Sequence, residues 1–461
     1  MSTGTTPVPM PGLRRPATWT NASTQHWGRC LVAVIVAAWL LSFVVGFEAA
    51  LGLLTAVGFA SAIVGFARPG LGLLGVGILS TLDAPARILV FTGGIWRWNT
   101  FSYWLLIVVL LNLSLALRWH DVQTRLLQCL VAVLGIGLII SPDPISGIQH
   151  ILGLVSVFGL IVYFYRARNA EGVLHWLGLV CGALSALGGV AFFMSEGTLS
   201  YVNPNAFVFF PLTGLFAICL GFSSAVPGWR KRVTLYALAA SNLTLVFLTG
   251  SRGGMLVGAI CAAFLMLRFG SVRSRVLTGL AAVVLGIGMS TQFAGHRQDA
   301  IHKISKMLDP RYSLTQRTSG RYDLALGAVY MFRTHPLGVG TGGFASNWRE
   351  LDDVPGLSGF RRGRSMEAHG AWTKTLAENG VLGFALLAAY VVSLAFTGLR
   401  SRSRTARGLG VWAGGVLAVA FVSTSFQAKG LWLLAAGVTV LLQYGKGDDV
   451  VRFSPSRPSH P

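Results

Sequence analysis

The amino-acid sequence predicts an all-α polytopic membrane protein of about 12–14 transmembrane helices, with one long extracytoplasmic loop containing short helices. Three observations carry that expectation. Charged residues make up 11% of the chain and its mean hydropathy is +0.63, whereas a soluble domain carries about a quarter charged residues. Apolar runs of roughly 14 to 21 residues recur throughout, long enough to cross a bilayer. Only one stretch, Gln292 to Asn379, is both long and polar.

Taken in order, the expected spans are Leu31–Gly46, Ala49–Ala67, Gly70–Val90, Phe101–Leu117, Leu126–Ser141 and Gly147–Tyr165. Val173–Phe193, Ala206–Ser224, Val233–Thr249, Gly254–Phe269 and Arg275–Thr291 follow. After the polar stretch come Val381–Thr397, Gly408–Ser425 and Leu431–Tyr444. Gly70–Val90 is the weakest, because Asp83, Pro85 and Arg87 interrupt it. Residues 1–30 and 445–461 read as disordered cytoplasmic tails, the first Pro/Thr-rich with Arg14 and Arg15 and no cleavable signal peptide. Between them lie an N-terminal bundle (31–291), the loop (292–379) and the C-terminal helices (380–444).

Loop charge sets the orientation. With the N-terminus inside, the cytoplasmic loops carry Arg68; Arg118 and Arg125; Arg166 and Arg168; Arg230, Lys231 and Arg232. Arg268, Arg273 and Arg275, then Arg400, Arg402, Arg404 and Arg407, continue the series, while Pro142–Ser146 and Ser195–Pro204 contain no Lys or Arg. This follows the positive-inside rule and puts both termini in the cytoplasm of a plasma-membrane protein. The loop then lies outside; its twelve Lys/Arg against eight Asp/Glu do not oppose that, since long loops translocate largely regardless of charge.

The formal net charge of +21 therefore reports membrane orientation, not nucleic-acid binding, because no soluble domain presents a basic face. Cys30, Cys129, Cys181, Cys219 and Cys261 lie in or beside apolar runs without CxxC spacing, so neither a zinc site nor a disulfide framework is indicated. No Asp-x-Asp pair lies in the outer loops to hold a divalent metal, Asp352-Asp353 being the nearest approach. No Gly-rich nucleotide fingerprint follows a strand. Scarce mid-span carboxylates argue against an ion-coupled transporter.

Within the loop, Ile301, Ile304, Met307 and Leu308 have helical spacing, which fits a helix on the membrane surface or one packed on the bundle. Ser319 is placed to cap a helix from about Arg321 to Phe332, stopped by Pro336. Gly338, Gly340, Gly342 and Gly343 read as a flexible turn. A third helix starts near His369 or Gly370 and ends at Asn379-Gly380.

His369 is the sharpest candidate for chemistry. A histidine at a helix start is held neutral by the dipole and can accept a proton from a hydroxyl; the same position also suits a surface histidine bonded to Glu367. Arg252, in Thr249-Gly250-Ser251-Arg252-Gly253-Gly254, stands at the outer end of a span beside glycines that admit a phosphate; it also suits an arginine snorkelling to headgroups. Arg321 offers the paired donors that fit a diphosphate, or a salt bridge to Asp323. Arg361, Arg362 and Arg364 suit anionic headgroups, glycan or plain solvation. Asn203 and Asn205, around Pro204, suit sugar hydroxyls or a helix-starting turn. Lys374 suits a glycan contact or an i,i+4 pair with Glu378.

Five stretches in order carry a resemblance: Asn203-Pro204-Asn205, Leu248 to Gly254, Ser319-Gly320-Arg321, His335-Pro336-Leu337-Gly338-Val339-Gly340, and His369 to Gly383. Together they resemble the O-antigen ligase and polymerase superfamily over about Val173 to the last span. That resemblance implies a GT-C-like membrane glycosyltransferase of surface-polysaccharide biosynthesis. It implies a polyprenyl-diphosphate-linked glycan donor, a glycan, lipid A–core or protein acceptor, and surrounding membrane lipids. It further implies no metal, nucleotide sugar or other cofactor, and inversion at the anomeric carbon. Arg252 and Arg321 would grip the diphosphate and His369 would orient or deprotonate the acceptor hydroxyl. Two departures stand out: Gly370 follows the motif histidine where asparagine is frequent, and the spans number 14 where the ligases have twelve. A transporter and a non-catalytic assembly subunit are the competing classes.

Overall fold

The computed structural model describes residues 21–89, 100–113, 121–168, 170, 172–195, 204–223, 229–269, 301–302, 305–306, 309–318, 320–348, 351, 366, 368, 370–401, 403–424, 426 and 428–444. Among these there is no strand. The chain opens with α1 (Asn21–Val45), α2 (Phe47–Val64), α3 (Pro69–Leu89), α4 (Thr100–Leu111), α5 (Val122–Ile139) and α6 (Pro144–Ala167). Then come α7 (Val173–Ser195), the short α8 (Pro204–Phe207), α9 (Phe209–Ser223), α10 (Trp229–Leu248) and α11 (Arg252–Phe269). The polar stretch contributes α12 (Leu314–Arg317), α13 (Arg321–Thr334) and α14 (Phe344–Trp348). α15 (Ala371–Arg400), α16 (Arg404–Ser423) and α17 (Lys429–Tyr444) close the fold.

Among the described residues eight helices are long and apolar enough to cross a membrane, and three shorter apolar ones accompany them. This is an all-α, multi-pass membrane protein. Every expected span except Arg275–Thr291, which lies outside the described residues, coincides with a helix. α1 starts at Asn21, ahead of the expected Leu31. Its polar first turns pack on the bundle: Thr24 is buried and Arg68 lies over the Trp27 ring at 5.5 Å.

Small residues and polar cross-links hold the helices together, as expected where lipid removes most of the hydrophobic drive between them. A Cβ on Gly65 would stand 2.2 Å from the Cα of Gly72, so α2 and α3 touch backbone to backbone. A Cβ on Gly398 would stand 2.7 Å from the Cα of Gly410, so α15 and α16 also meet closely. Between α7 and α10, Ser185 Oγ donates to Asn242 Oδ1 at 2.7 Å and Asn242 Nδ2 donates to Gly182 O at 3.1 Å. α9 is buried along nearly its whole length, whereas Leu40, Val44, Ile139 and Val392 are exposed on outer helices.

The segment after α13 corrects the expectation of a flexible turn. Residues 338–345 are buried. Gly338, Gly340 and Gly342 have φ of +95°, +93° and +90°, a region where glycine pays no steric penalty. They seat the segment between the α5–α6 hairpin and α15. Val339 N and Gly340 N donate to Ala377 O and Glu378 O, and Thr341 N donates to Gly137 O, each at 3.0 Å.

One further expectation changes and one holds. The N-cap of α13 is Gly320, in left-handed conformation at φ +81°; Ser319 lies outside the described residues. The third loop helix ends where expected: Gly380 (φ +61°, ψ −157°) breaks the helical geometry directly after Asn379, and the following span begins at Val381, the two halves together forming the kinked α15. The kink occurs because Val381 N donates to Pro336 O at 3.2 Å, turning the helix around the wedged segment. Of the surface-helix stripe, Ile304, Met307 and Leu308 lie outside the described residues, and Ile301 is exposed.

Candidate functional site

The first part of the site grows from the turn between α10 and α11. Gly250 adopts φ +65°, which lets Ser251 cap α11: its Oγ accepts from Gly254 N at 3.3 Å. The same Oγ donates to Asn205 Oδ1 at 3.0 Å. Two sequence motifs separated by a whole helical hairpin thus meet, and Arg252 projects from their junction.

Arg252 Nη1 donates to Arg317 O. That carbonyl belongs to α12, which is closed by a capping box between Ser313 and Gln316. Gly320 N donates to Thr315 O at 2.8 Å, reversing the chain into α13. Thr315 Oγ1 donates to Asp323 Oδ1 at 2.7 Å, holding a buried carboxylate in the first turn of α13, where the dipole favours negative charge. Arg321, the first residue of α13, is thereby set beside Arg252. Burial, and then the neighbouring Arg252 charge, lower its pKa from the ordinary value. Among the described residues neither guanidinium has a carboxylate within ion-pair distance. Two neighbouring like charges repel, and an anion placed between them relieves both.

The second part is the start of α15. Its N-cap is Gly370, and a Cβ there would lie 2.6 Å from Val422 O and 3.1 Å from Phe421 O. This packing explains why glycine occupies the position. Ala371 N donates to Thr424 O at 2.8 Å, and Trp372 Nε1 donates to Ala418 O at 2.9 Å. The neighbouring residue of α16, Ser423, has its Oγ 2.6 Å from where a Cβ on Gly253 would stand. The end of α16 therefore touches both the residue after Arg252 and the residue after His369. Ala368 joins Leu324, Ala328, Met331 and Trp348 in the small core of the loop.

Below this end, α15 carries a buried ionisable cluster. Lys374 and Glu378 are each 2% exposed and His150 of α6 is 4% exposed. Lys374 Nζ lies 2.8 Å from His150 Nε2 and 3.7 Å from Glu378 Oε1. His150 Nδ1 lies 3.9 Å from Glu378 Oε2, and Phe344 N donates to Glu378 Oε1 at 3.2 Å. Lys374, expected as a glycan contact or an i,i+4 pair with Glu378, makes that pair in the protein interior.

The structure brings together Asn205, Arg252 and Arg321, and sets Lys374 against His150 and Glu378. His369, Asn203, Arg361, Arg362 and Arg364 lie outside the described residues. Sequence reading passed over His150, a histidine inside an apolar span. An ionisable residue at that depth is itself a signal of function.

Such a fold defines a multi-pass membrane protein whose polar loop brings together partly buried cationic side chains. Residues 235–388 match a protein family described as O-antigen ligase, and this match supports placing the protein in the O-antigen ligase and polymerase superfamily. The matched region runs from α10 into α15 and includes Arg252, Arg321 and His369. The match implies a glycosyltransferase-like enzyme that processes glycan in the membrane, with a lipid-linked glycan as donor and glycan or lipid as acceptor. No curated protein shows significant sequence similarity to the chain.

Proposed function

We propose that the protein transfers or polymerises polyprenyl-diphosphate-linked glycan at the outer face of the plasma membrane, with both termini cytoplasmic and residues 292–379 outside. The observation that carries this reading is the Arg252–Arg321 pair: Arg252 is anchored on Arg317 O beside the Ser251–Asn205 bond, and its charge acts on Arg321. A diphosphate is the anion that such a pair fits, because guanidinium offers paired, permanently charged donors.

The reaction then divides among this chain's residues. Arg252 and Arg321 hold the donor diphosphate and offset the charge that develops as the bond from the anomeric carbon to phosphate oxygen breaks. His369 takes the proton of the acceptor hydroxyl, whose oxygen forms the new glycosidic bond. Attack opposite the departing polyprenyl diphosphate inverts the anomeric carbon. The guanidinium groups supply the charge stabilisation, so turnover is expected to survive chelation with EDTA. Ligase and polymerase versions share this donor chemistry and differ in acceptor: lipid A–core or protein for one, a second lipid-linked unit for the other. Asn203, Asn205, Arg361, Arg362 and Arg364 are the proposed glycan and acceptor contacts.

The test is the glycan profile of cells lacking the protein, complemented with wild type, His369→Ala or Arg252→Ala. Single lipid-linked units accumulating without the protein indicate a polymerase; long lipid-linked chains that never reach an acceptor indicate a ligase. Full rescue by both variants would overturn the enzymatic reading.

A further inference from the structure

We propose that His150, Lys374 and Glu378 form a buried clasp that positions the first half of α15, and with it the acceptor end of the site, for transfer. The three are among the few ionisable side chains in a core otherwise built from apolar residues. Burying charge is costly even when it is paired, and well-packed hydrophobic residues of similar volume are often as stable or more so. What the cluster adds is direction.

It ties three separate parts of the chain. His150 comes from α6, Lys374 and Glu378 from α15, and Phe344 N, which donates to Glu378 Oε1, from the segment after the glycine-rich turn. With Lys374 charged, its Nζ donates a hydrogen bond to His150 Nε2, and the ring's own proton sits on Nδ1, 3.9 Å from Glu378 Oε2 and beyond hydrogen-bond reach of it. One cation and one anion around a neutral ring leave the cluster without net charge. One turn of contacts further on, Thr341 Oγ1 lies 2.8 Å from Asn379 Oδ1.

Such fixing is needed because α15 is not one rigid rod. Gly380 breaks its helical geometry, so the long membrane helix beyond it does not dictate how residues 371–379 are rotated. Apolar packing alone tolerates sliding and rotation; hydrogen-bonded ionic contacts have a fixed geometry. The N-terminus of that half is Gly370, wedged against Val422 and Phe421. A small rotation about the helix axis would displace whatever precedes it. What is positioned there rests on the assignment of His369 in the proposed function.

The experiment uses purified full-length protein in nanodiscs, with lipid-linked glycan as donor. Lys374→Met and Glu378→Gln are compared with the double variant, and hydrogen exchange is followed across residues 371–379. Each single variant removes one charge of the buried Lys374–Glu378 pair, so exchange in this half should accelerate and kcat fall roughly 10- to 100-fold, as misplacement by about an ångström does. Donor KM should stay within about twofold. The double variant, which leaves no orphaned charge, should fold and recover only part of kcat. His150→Gln, which keeps a hydrogen-bonding group, should retain more kcat than His150→Leu. Unchanged exchange in the singles would overturn the clasp, as would wild-type kcat in the double, which also decides the matter if the singles do not fold. A raised KM with unchanged kcat would make Lys374 a direct donor contact instead and likewise overturn it. Accelerated exchange with unchanged kcat would support the clasp and refute the placement of the active site at this helix end. Full turnover by His369→Ala would do the latter independently.

Discussion

Replacing Gly338 by alanine tests whether the glycine-rich segment is a built seat. Its backbone sits at φ +95°, where an L residue costs about 1–2 kcal/mol. The added Cβ would stand 2.2 Å from Glu378 O, 2.4 Å from Glu378 C and 2.6 Å from Asn379 N. All three are backbone atoms of α15, so no side-chain tip can yield. Relief requires the segment to lift, which breaks the bonds from Val339 N to Ala377 O and from Gly340 N to Glu378 O. Each contributes about 1 kcal/mol net. The sum is about 3–4 kcal/mol, enough to lower the melting temperature of detergent-solubilised protein by several degrees. Gly135→Ala is the control. Gly135 lies within α5 with nothing within 4 Å of a would-be Cβ, so it should gain roughly 0.5–1 kcal/mol. A Gly338→Ala protein that melts with Gly135→Ala would refute the packed seat and restore the flexible turn.

Arg252→Lys and Arg321→Lys keep the charge but lose the fork, and each should weaken donor binding about tenfold or more; unchanged KM for the lipid-linked donor would count against the diphosphate assignment. Asn205→Ala removes the acceptor for Ser251 Oγ, which should cost about 1 kcal/mol in thermal melts and reduce turnover through Arg252, while Asn205→Asp retains both. Asp323→Ala deletes the Thr315 bond and the first-turn carboxylate of α13. It should lower stability by about 1–3 kcal/mol and speed hydrogen exchange from 321 to 334; protection equal to wild type would show that the reversal at Gly320 holds without it.

Particular residues show how far the sequence reached. The start of α13 at Arg321 and its end just before Pro336 were legible, because proline and a polar boundary are local signals. The role of Gly338 to Gly342 was not, since the same glycines suit a loose turn or a tight one, and only the facing backbone decides. Lys374 and Glu378 were recognised as an i,i+4 pair from spacing alone. Their burial against His150, 224 residues away in the chain, has no local signature.

The general division follows from the physics of a membrane bundle. Hydropathy by itself determined that this chain is an all-α multi-pass protein, and roughly where its long helices lie, because spanning a bilayer demands a run of apolar residues of set length. It could not determine which face of each helix turns inward. A helix that is apolar all round gives no amphipathic signal of its rotation, and lipid rewards contact with leucine as well as a neighbouring helix does. Which side chains meet was therefore decided only in the tertiary structure: Asn205 with Ser251, Arg321 beside Arg252, and His150 with Lys374. Small residues fixed how closely the backbones approach, and directional polar contacts fixed the register.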